Sequence, residues 1–297
     1  MIRGNGYSLA DSSAPRAAAV DARPLSERIG EAALVVAHPD DEILWFSSVF
    51  TAVKGIFVCY LDVPGHSTWT AGRRAVAAAY PMDNVVFLGL TESVAIYGAD
   101  WNNPRVVDEG LNVSPRTGTL AGFDADLYRK NYHRLHALLE NHLNGYSTVI
   151  THNPWGEYGH EEHVQVYRAV SSLSRTMAFD VWYSNYCSNR SYRLMLESLS
   201  GFRSNAEAFA TQPAAAEPIE SLYRRNDCWT WSFDDYRYFP QECFIPDRPV
   251  DAKADLGSTL PLNFIKVEDR APPPWSLTWR RRLRRAKRRL KSWSHSE

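Results

Sequence analysis

The chain carries a histidine and two adjacent carboxylates in the segment Ala37–Glu42, directly after the apolar run Ala32–Val36. That run is short, continuous and apolar, which is typical of a buried strand. His38 and Asp41 are three residues apart, so a tight turn could bring both to one metal ion, with Asp40 free beside them. Metal ligands with a spare carboxylate are the minimal parts for activating a water molecule.

A second group of polar residues follows another predicted strand, Ser147–Thr151. It contains His160 and His163, which share a face if they lie on the first turn of a helix. In open α/β sheets, ligands bind outside the carboxyl ends of the strands, so both groups are expected at one edge. Catalytic zinc usually has three protein ligands. His38, Asp41 and one of the two later histidines supply three ligands. The other histidine is then left to act on the substrate, and Asp40 is left as a base for the metal-bound water.

The chain contains a comparison for this histidine spacing. His133 and His136 are also three apart, but they have no carboxylate pair beside them and follow no strand end. We predict that they lie on a solvated or partly buried helix face. A metalloprotease helix is excluded for the second group, because its second histidine would have to stand at Val164.

The predicted elements alternate between strand and helix along the first two thirds of the chain. The strands are expected at Ala32–Ala37, Gly55–Leu61, Asn84–Leu90, Ser147–Thr151 and Asp180–Tyr186. The helices are expected at Asp41–Val53, Thr70–Tyr80, Asp124–Leu143 and His163–Ser174. This alternation predicts an α/β fold with a mostly parallel sheet and helices on its faces. We expect a long loop over residues 91–123, a linker-like stretch at Pro213–Pro218 and an irregular C-terminal extension.

The two groups together resemble a known family. Ala37-His38-Pro39-Asp40-Asp41-Glu42 and Tyr158-Gly159-His160-x-x-His163 are similar to motifs of the PIG-L/LmbE-like zinc-dependent N-acetylglucosamine deacetylases. The resemblance covers residues 30–190 and implies a Rossmann-like α/β fold with helices on both faces. It implies hydrolysis of an N-acetyl or other N-acyl group of an amino sugar, carried by a glycan, a glycolipid or a glycosylated metabolite.

The same resemblance implies a role for each matching residue. The zinc ligands would be His38, Asp41 and His163, and Asp40 would be the general base. His160 would stabilise the oxyanion or protonate the leaving amine. Tyr158 would donate a hydrogen bond to the carbonyl oxygen of the substrate. Iron(II) is an alternative metal, because sites of two histidines and one aspartate also accept it.

The chain departs from the family's pattern near the expected substrate mouth. It has Leu61-Asp62-Val63 where many members have Thr-Asp-Gly, and Arg74 is followed three residues later by Ala77 rather than Glu. These departures leave the substrate open. Arg73, Arg74 and Asp62 are candidate substrate-binding residues, and a plain exposed helix charge is the alternative for either arginine.

Bulk composition is that of a soluble globular protein. The 297 residues are 44% hydrophobic and 23% charged, which is the usual balance for such a protein and allows a large core. None of the four cysteines forms a C-x-x-C pair, which favours a reducing compartment. We see no secretory signal or transmembrane span and expect a cytoplasmic protein.

The C-terminal end is strongly basic. Arg280–Lys291 holds nine Lys or Arg and no acidic residue, although the whole chain has a net charge of −1. Its apolar residues, Trp279, Leu283, Ala286, Leu290 and Trp293, fall on one helical face. Residues 275–293 therefore predict an amphipathic anchor on an anionic membrane surface, which would place the protein at the inner face of the membrane. The alternatives are a solvated or partner-binding tail and, less favoured, a nucleic-acid patch.

The predicted organisation is a flexible arm over 1–25, a deacetylase domain over 26–270, and a Pro-rich break with a basic tail over 271–297. The leading hypothesis is a zinc-dependent amino-sugar deacetylase. The alternatives are an amidohydrolase for a different N-acyl substrate, and a non-catalytic membrane- or nucleic-acid-binding protein with a structural metal.

Overall fold

The protein is described by a computed structural model. It covers residues 23–199, 206–231, 236–247 and 260–267. The predicted arm over 1–25 lies almost wholly outside these residues, and the basic tail lies wholly outside them, so the membrane prediction stays a prediction. No helix in the described ranges combines the length and the apolar character that a membrane crossing needs.

Strands and helices alternate as the pattern predicts. The helices are α1 Leu25–Arg28, α2 Asp41–Leu44, α3 Ser67–Ala78, α4 Ala125–His142, α5 Glu161–Met177, α6 Tyr192–Ser198 and α7 Pro213–Arg225. The longer strands are β1 Ala33–Val36, β2 Gly55–Asp62, β3 Val85–Thr91, β6 Thr148–Thr151, β7 Asp180–Ser184, β9 Glu207–Ala210 and β10 Gln241–Pro246. The shorter strands are β4 Val106–Val107, β5 Gly110–Leu111, β8 Tyr186–Ser188 and β11 Asn263–Ile265.

The longer strands form one sheet in the order β3-β2-β1-β6-β7-β10-β9. Neighbouring strands from β3 to β7 pair in parallel, whereas β10 pairs antiparallel with both β7 and β9. The chain leaves β1 toward β2 on one side and returns beside β1 as β6 on the other. The predicted α/β fold with a mostly parallel sheet is confirmed, and the switch point of the strand order lies between β1 and β6, where such sheets bind ligands.

Alternate residues of β1 enter two different cores. Leu34 and Val36 are buried in a cluster that includes residues of α3 and α7, whereas Ala33 and Val35 are buried with residues of α4 and α5. A strand that is apolar on both faces is what a parallel sheet covered on both sides requires. The expected helices on both faces are therefore present, and β1 is held at the centre of the fold.

The helix predicted over Asp41–Val53 is wrong in its extent, since α2 ends at Leu44. The N–H groups and hydroxyls of Ser47 and Ser48 donate to the buried carboxylate of Glu242, at distances between 2.6 and 3.2 Å. These donors therefore have a distant acceptor in place of the carbonyls of α2. A separate turn follows, in which Phe46 O accepts the N–H groups of Val49 and Phe50.

The segment 206–246, which contains the stretch that we expected to be a linker, extends the sheet. It provides β9, β10 and the covering helix α7. The stretch Pro213–Pro218 is not a linker but the first turns of α7. Pro213 costs nothing in the first turn, where its missing N–H would be unused. Pro218 lies inside the helix, whose buried face includes Tyr223 and packs on the main core.

Candidate metal centre

The turn after β1 is built around its own carboxylates. Asp41 accepts the His38 N–H through Oδ2 (2.7 Å) and the Trp45 Nε1–H through Oδ1 (2.8 Å). Asp40 has a φ of 105°, in the left-handed region that Asp tolerates better than most residues. Its N–H donates to Glu42 Oε2 at 3.0 Å. These bonds hold the two adjacent aspartates in different directions, and each can take a different role.

Three donor atoms from the two sequence groups form a nearly equilateral triangle. His38 Nδ1 lies 3.2 Å from Asp41 Oδ2 and 3.3 Å from His163 Nε2, and the last two atoms are 3.3 Å apart. Ligands of a tetrahedral zinc with bonds of about 2.0–2.1 Å stand roughly 3.3–3.4 Å from one another. The donor set and its spacing therefore fit a zinc ion, and the same three residues would also suit iron(II).

Each histidine of the triangle has a carboxylate behind it. His163 Nδ1 lies 2.7 Å from Glu157 Oε2, and His38 Nε2 lies 3.0 Å from Glu162 Oε2. A carboxylate accepts an N–H there, so the opposite ring nitrogen is left with a lone pair toward the triangle. Burial alone would raise the pKa of Glu157, but His152 and His163 lower it to about 2. That carboxylate is therefore ionised and suited to this role.

The electrostatics of the triangle favour a bound cation. Burial alone would lower the pKa of His38, but Glu92, Asp41 and Glu162 raise it to about 10. Burial would likewise raise the pKa of Asp41, whereas His163 and the other nearby histidines hold it well below its usual value. Positive charge, as a proton or as a metal ion, is thus stabilised at this point.

His160 stands next to the triangle in a fixed tautomer. It is the N-cap of α5, and its Nδ1 accepts the N–H of Glu162 at 3.2 Å. The ring centroid lies 4.6 Å from that of His38 and 4.8 Å from that of His163. Burial and these two histidines hold the pKa of His160 well below its usual value. The ring is therefore neutral, and its Nε2–H is a hydrogen-bond donor.

The Asp40 carboxylate is buried but not part of the triangle. Its Oδ2 accepts the Thr230 hydroxyl at 3.0 Å and the Thr230 N–H at 3.3 Å. Burial and the neighbouring Asp41 raise the pKa of Asp40 well above its usual value, against an opposing effect of Arg73. Two carboxylates with pKa values pushed in opposite directions are typical of a site where one binds and the other transfers protons.

Aromatic rings form one side of the centre. The ring of Tyr158 stacks on Trp45, with centroids 5.4 Å apart, and meets His163 and Trp231 edge-on at 5.4 and 5.6 Å. Trp45 is fully buried, whereas Tyr158 and Trp231 are partly exposed. The partly exposed ring of Tyr158, which meets His163 edge-on, can therefore contact a molecule bound at the triangle.

The two arginines that follow each other in α3 have different environments. Arg73 is buried and forms a hydrogen-bonded ion pair with Glu92, whose carboxylate lies 3.6 Å from His38 Nε2. Arg74 is exposed and pairs with Asp62 at 2.6 Å, at the end of β2. Arg73 thus belongs to the buried surroundings of the centre, whereas Arg74 and Asp62 form a surface pair.

The structure brings together the main residues predicted from the sequence: His38, Asp40, Asp41, Tyr158, His160 and His163. Sequence reasoning missed five others that contact them, namely Glu92, His152, Glu157, Glu162 and Thr230. Three of these five lie inside the second sequence group itself. Their signal was present as acidic and histidine residues next to the predicted ligands. Glu92 follows β3 directly, so it carries the signal of a polar residue at a strand end, whereas Thr230 carries no local signal.

Comparisons with known proteins leave the family unassigned. No family model and no curated protein matches the chain. Among solved structures, a deacetylase–teicoplanin complex from teicoplanin biosynthesis is 14% identical, with 74% of this chain and 100% of that chain covered and a TM-score of 0.44. The zinc-inhibited form of a teicoplanin deacetylase is 13% identical, covers 72% and 97%, and has a TM-score of 0.43. A pseudoaglycone deacetylase is 13% identical, covers 73% and 96%, and has a TM-score of 0.42. Similarity at this level assigns no activity to the chain.

Proposed function

We propose that this protein is a metal-dependent hydrolase that removes an N-acetyl or other N-acyl group from an amino sugar, with zinc as the metal and iron(II) as the alternative. The observation that carries this proposal is the triangle of His38 Nδ1, Asp41 Oδ2 and His163 Nε2, with edges of 3.2–3.3 Å. Beside it lie an ionisable carboxylate, Asp40, and a neutral imidazole donor, His160. A purely structural metal site would need neither group.

Each of these residues has a separate role in the proposed reaction. A zinc ion held by the triangle would supply a Lewis acid for the amide carbonyl and for the attacking water. Asp40 takes a proton from the water as its oxygen bonds to the carbonyl carbon. His160 Nε2–H and the Tyr158 hydroxyl donate to the carbonyl oxygen as negative charge develops on it. When the C–N bond breaks, Asp40 gives the proton that it took from the water to the amine, and the acyl group leaves as a carboxylate.

Two features support an amino sugar as the substrate class. The motifs resemble those of the PIG-L/LmbE-like deacetylases, and the partly exposed rings of Tyr158 and Trp231 offer apolar faces beside the metal triangle. Arg73 is proposed to contact a polar group of the substrate, and the Arg74–Asp62 pair to stand near the mouth. All four cysteines are free and buried, and we propose a cytoplasmic location on that ground.

The test combines metal analysis with acetate release from nucleotide-, inositol- and lipid-linked N-acetylglucosamine. His163→Ala should lose both metal and activity. His133→Ala is the matched control, because it removes an exposed histidine with the same i, i+3 partner spacing on α4 and should change neither. Zinc bound by the parent protein without acetate release from any N-acetylamino sugar would overturn the deacetylase proposal. Release of another acyl group would support the amidohydrolase alternative, and zinc without any hydrolysis would support a structural metal.

A further inference from the structure

The carboxylate of Glu157 contacts two imidazole rings through one oxygen. Oε2 lies 2.7 Å from His163 Nδ1 and 3.0 Å from His152 Nδ1. The other oxygen, Oε1, accepts the Asn153 N–H at 3.0 Å and the Ser184 hydroxyl at 2.7 Å. Glu157 and His152 are both fully buried. Every oxygen of this carboxylate is therefore used inside the protein, and neither faces the metal triangle as a ligand.

The direction of these hydrogen bonds follows from one backbone group. The N–H of Ala37 donates to His152 Nε2 at 2.8 Å. A backbone N–H can only donate, so this Nε2 carries no proton, and the proton of the neutral ring is on Nδ1. His152 therefore donates to Glu157, and Glu157 is left as an acceptor. His163 must then donate its Nδ1–H to the same oxygen, which leaves the lone pair of His163 Nε2 toward the triangle.

Distance alone would make His152 a further metal ligand. Its Nε2 is 3.4 Å from Asp41 Oδ2, and its ring stacks on that of His163 with centroids 3.9 Å apart. However, the lone pair of Nε2 already accepts the Ala37 N–H. A ring nitrogen cannot both accept this bond and coordinate a metal in the same direction, so His152 is a support for the ligand beside it.

We propose that Glu157 and His152 are positioning residues that fix the tautomer and the ring plane of His163 and thereby set the metal affinity of the site. The N–H of Ala37, directly after β1, donates to His152 and fixes its ring. His152 donates to Glu157, and Glu157 accepts the Nδ1–H of His163 and so orients that ring. This proposal rests on the metal site of the proposed function but not on its substrate or its reaction. It is therefore tested by metal binding without any substrate.

The variant Glu157→Gln is the central test. An amide has one accepting oxygen and one NH2 group, so at least one of the four donors around the side chain would face another donor. We expect zinc to bind roughly 10- to 100-fold more weakly, as for other residues that orient metal ligands. Zinc affinity is measured by competition with a chromophoric chelator, and the visible absorption of the cobalt(II)-loaded protein reports changed geometry at the ligands.

The matched control is Glu242→Gln. Glu242 is also fully buried and accepts bonds from Ser47, Ser48 and Tyr186, but it contacts none of the three triangle residues. Its replacement should lower the stability of the fold and leave zinc affinity and the cobalt spectrum unchanged. Equal zinc affinity in Glu157→Gln and the parent would overturn the proposal, as would an equal loss of zinc affinity in both variants.

The variant His152→Gln distinguishes a positioning residue from a metal ligand. It also tests the proposal if Glu157→Gln does not fold. If His152 is a positioning residue, the variant should bind zinc more weakly but still take up equimolar zinc. The spectrum of its cobalt(II)-loaded form should indicate the same coordination number as in the parent. Loss of equimolar uptake, or a lower coordination number, would show that His152 is a ligand and overturn the proposal. A parent protein that binds zinc in this manner but hydrolyses no amide would contradict only the proposed function.

Discussion

Replacement of Asp40 by Asn tests the proposed proton-transfer role of this residue with little disturbance of the turn that contains it. The backbone at Asp40 is left-handed, with a φ of 105°, and Asn adopts this conformation about as readily as Asp. The Asn oxygen can still accept the Thr230 hydroxyl and N–H, which lie 3.0 and 3.3 Å from the present Oδ2. We therefore expect the free energy of unfolding to stay within about 1 kcal/mol of the parent value.

Turnover should fall by roughly 10²- to 10⁴-fold, the usual contribution of a positioned general acid or base. This corresponds to about 2.7–5.4 kcal/mol in the activation barrier. Metal content should not change, because Asp40 provides no atom of the triangle formed by His38, Asp41 and His163. The measurements are acetate release from the N-acetylamino sugar that the parent accepts, metal analysis, and thermal unfolding of both proteins.

The companion variant Asp40→Ala shows why Asn is the better choice. Ala at this φ would add about 1–2 kcal/mol of backbone strain and would lose the bonds to Thr230, so activity and stability would change together. The proton-transfer role of Asp40 would be refuted by an Asp40→Asn protein that keeps its metal, its fold and the turnover of the parent.

Three further predictions concern the fold that supports the site. Burial raises the pKa of Glu242, so the folded state holds this proton more tightly than the unfolded chain does. The contribution of Glu242 to the free energy of unfolding therefore falls as pH rises above about 4.3, the pKa of an unperturbed Glu. Urea unfolding of Glu242→Gln should lack this pH dependence, and an unchanged slope would contradict the cause. A Cβ on Gly72 would approach Asn226 O to 2.1 Å, so Gly72→Ala should destabilise the fold by about 1–3 kcal/mol. Thermal unfolding measures this change, and a variant as stable as the parent would refute the contact. Arg28 is buried and pairs with Asp180 at 2.8 Å, at the amino ends of the strands. Arg28→Ala should therefore lower the free energy of unfolding by about 3–5 kcal/mol without altering zinc affinity. Weaker zinc binding would contradict the independence of this ion pair from the metal triangle.

The ends of the strands could be predicted from the sequence because the relevant signals are local. The apolar runs of β1 and β6 are short, and polar residues follow each at once. Parallel pairing of these two strands then brings the two polar groups to the same edge of the sheet. The same local reasoning separates His160 and His163 from the comparison pair, since His133 is exposed and His136 partly buried on α4.

Other features depend on residues far away in the chain, and local patterns do not reveal them. The helix predicted after Asp41 is short because Glu242, 195 residues after Ser47, takes the N–H groups that would have continued the pattern. Thr230 contacts Asp40 from a segment that has no catalytic motif. Pro213–Pro218 reads as a linker from composition, whereas burial of the apolar face of α7 outweighs the cost of its inner proline.

The contact between Asp40 and Thr230 has a consequence for the order in which the protein is assembled. His38 and His163 meet across 125 residues, whereas Asp40 and Thr230 meet across 190. A chain made from its N-terminus therefore has all three proposed metal ligands available before Thr230 has been synthesised. We expect a nascent chain to capture its metal first and to give Asp40 its final environment only afterwards.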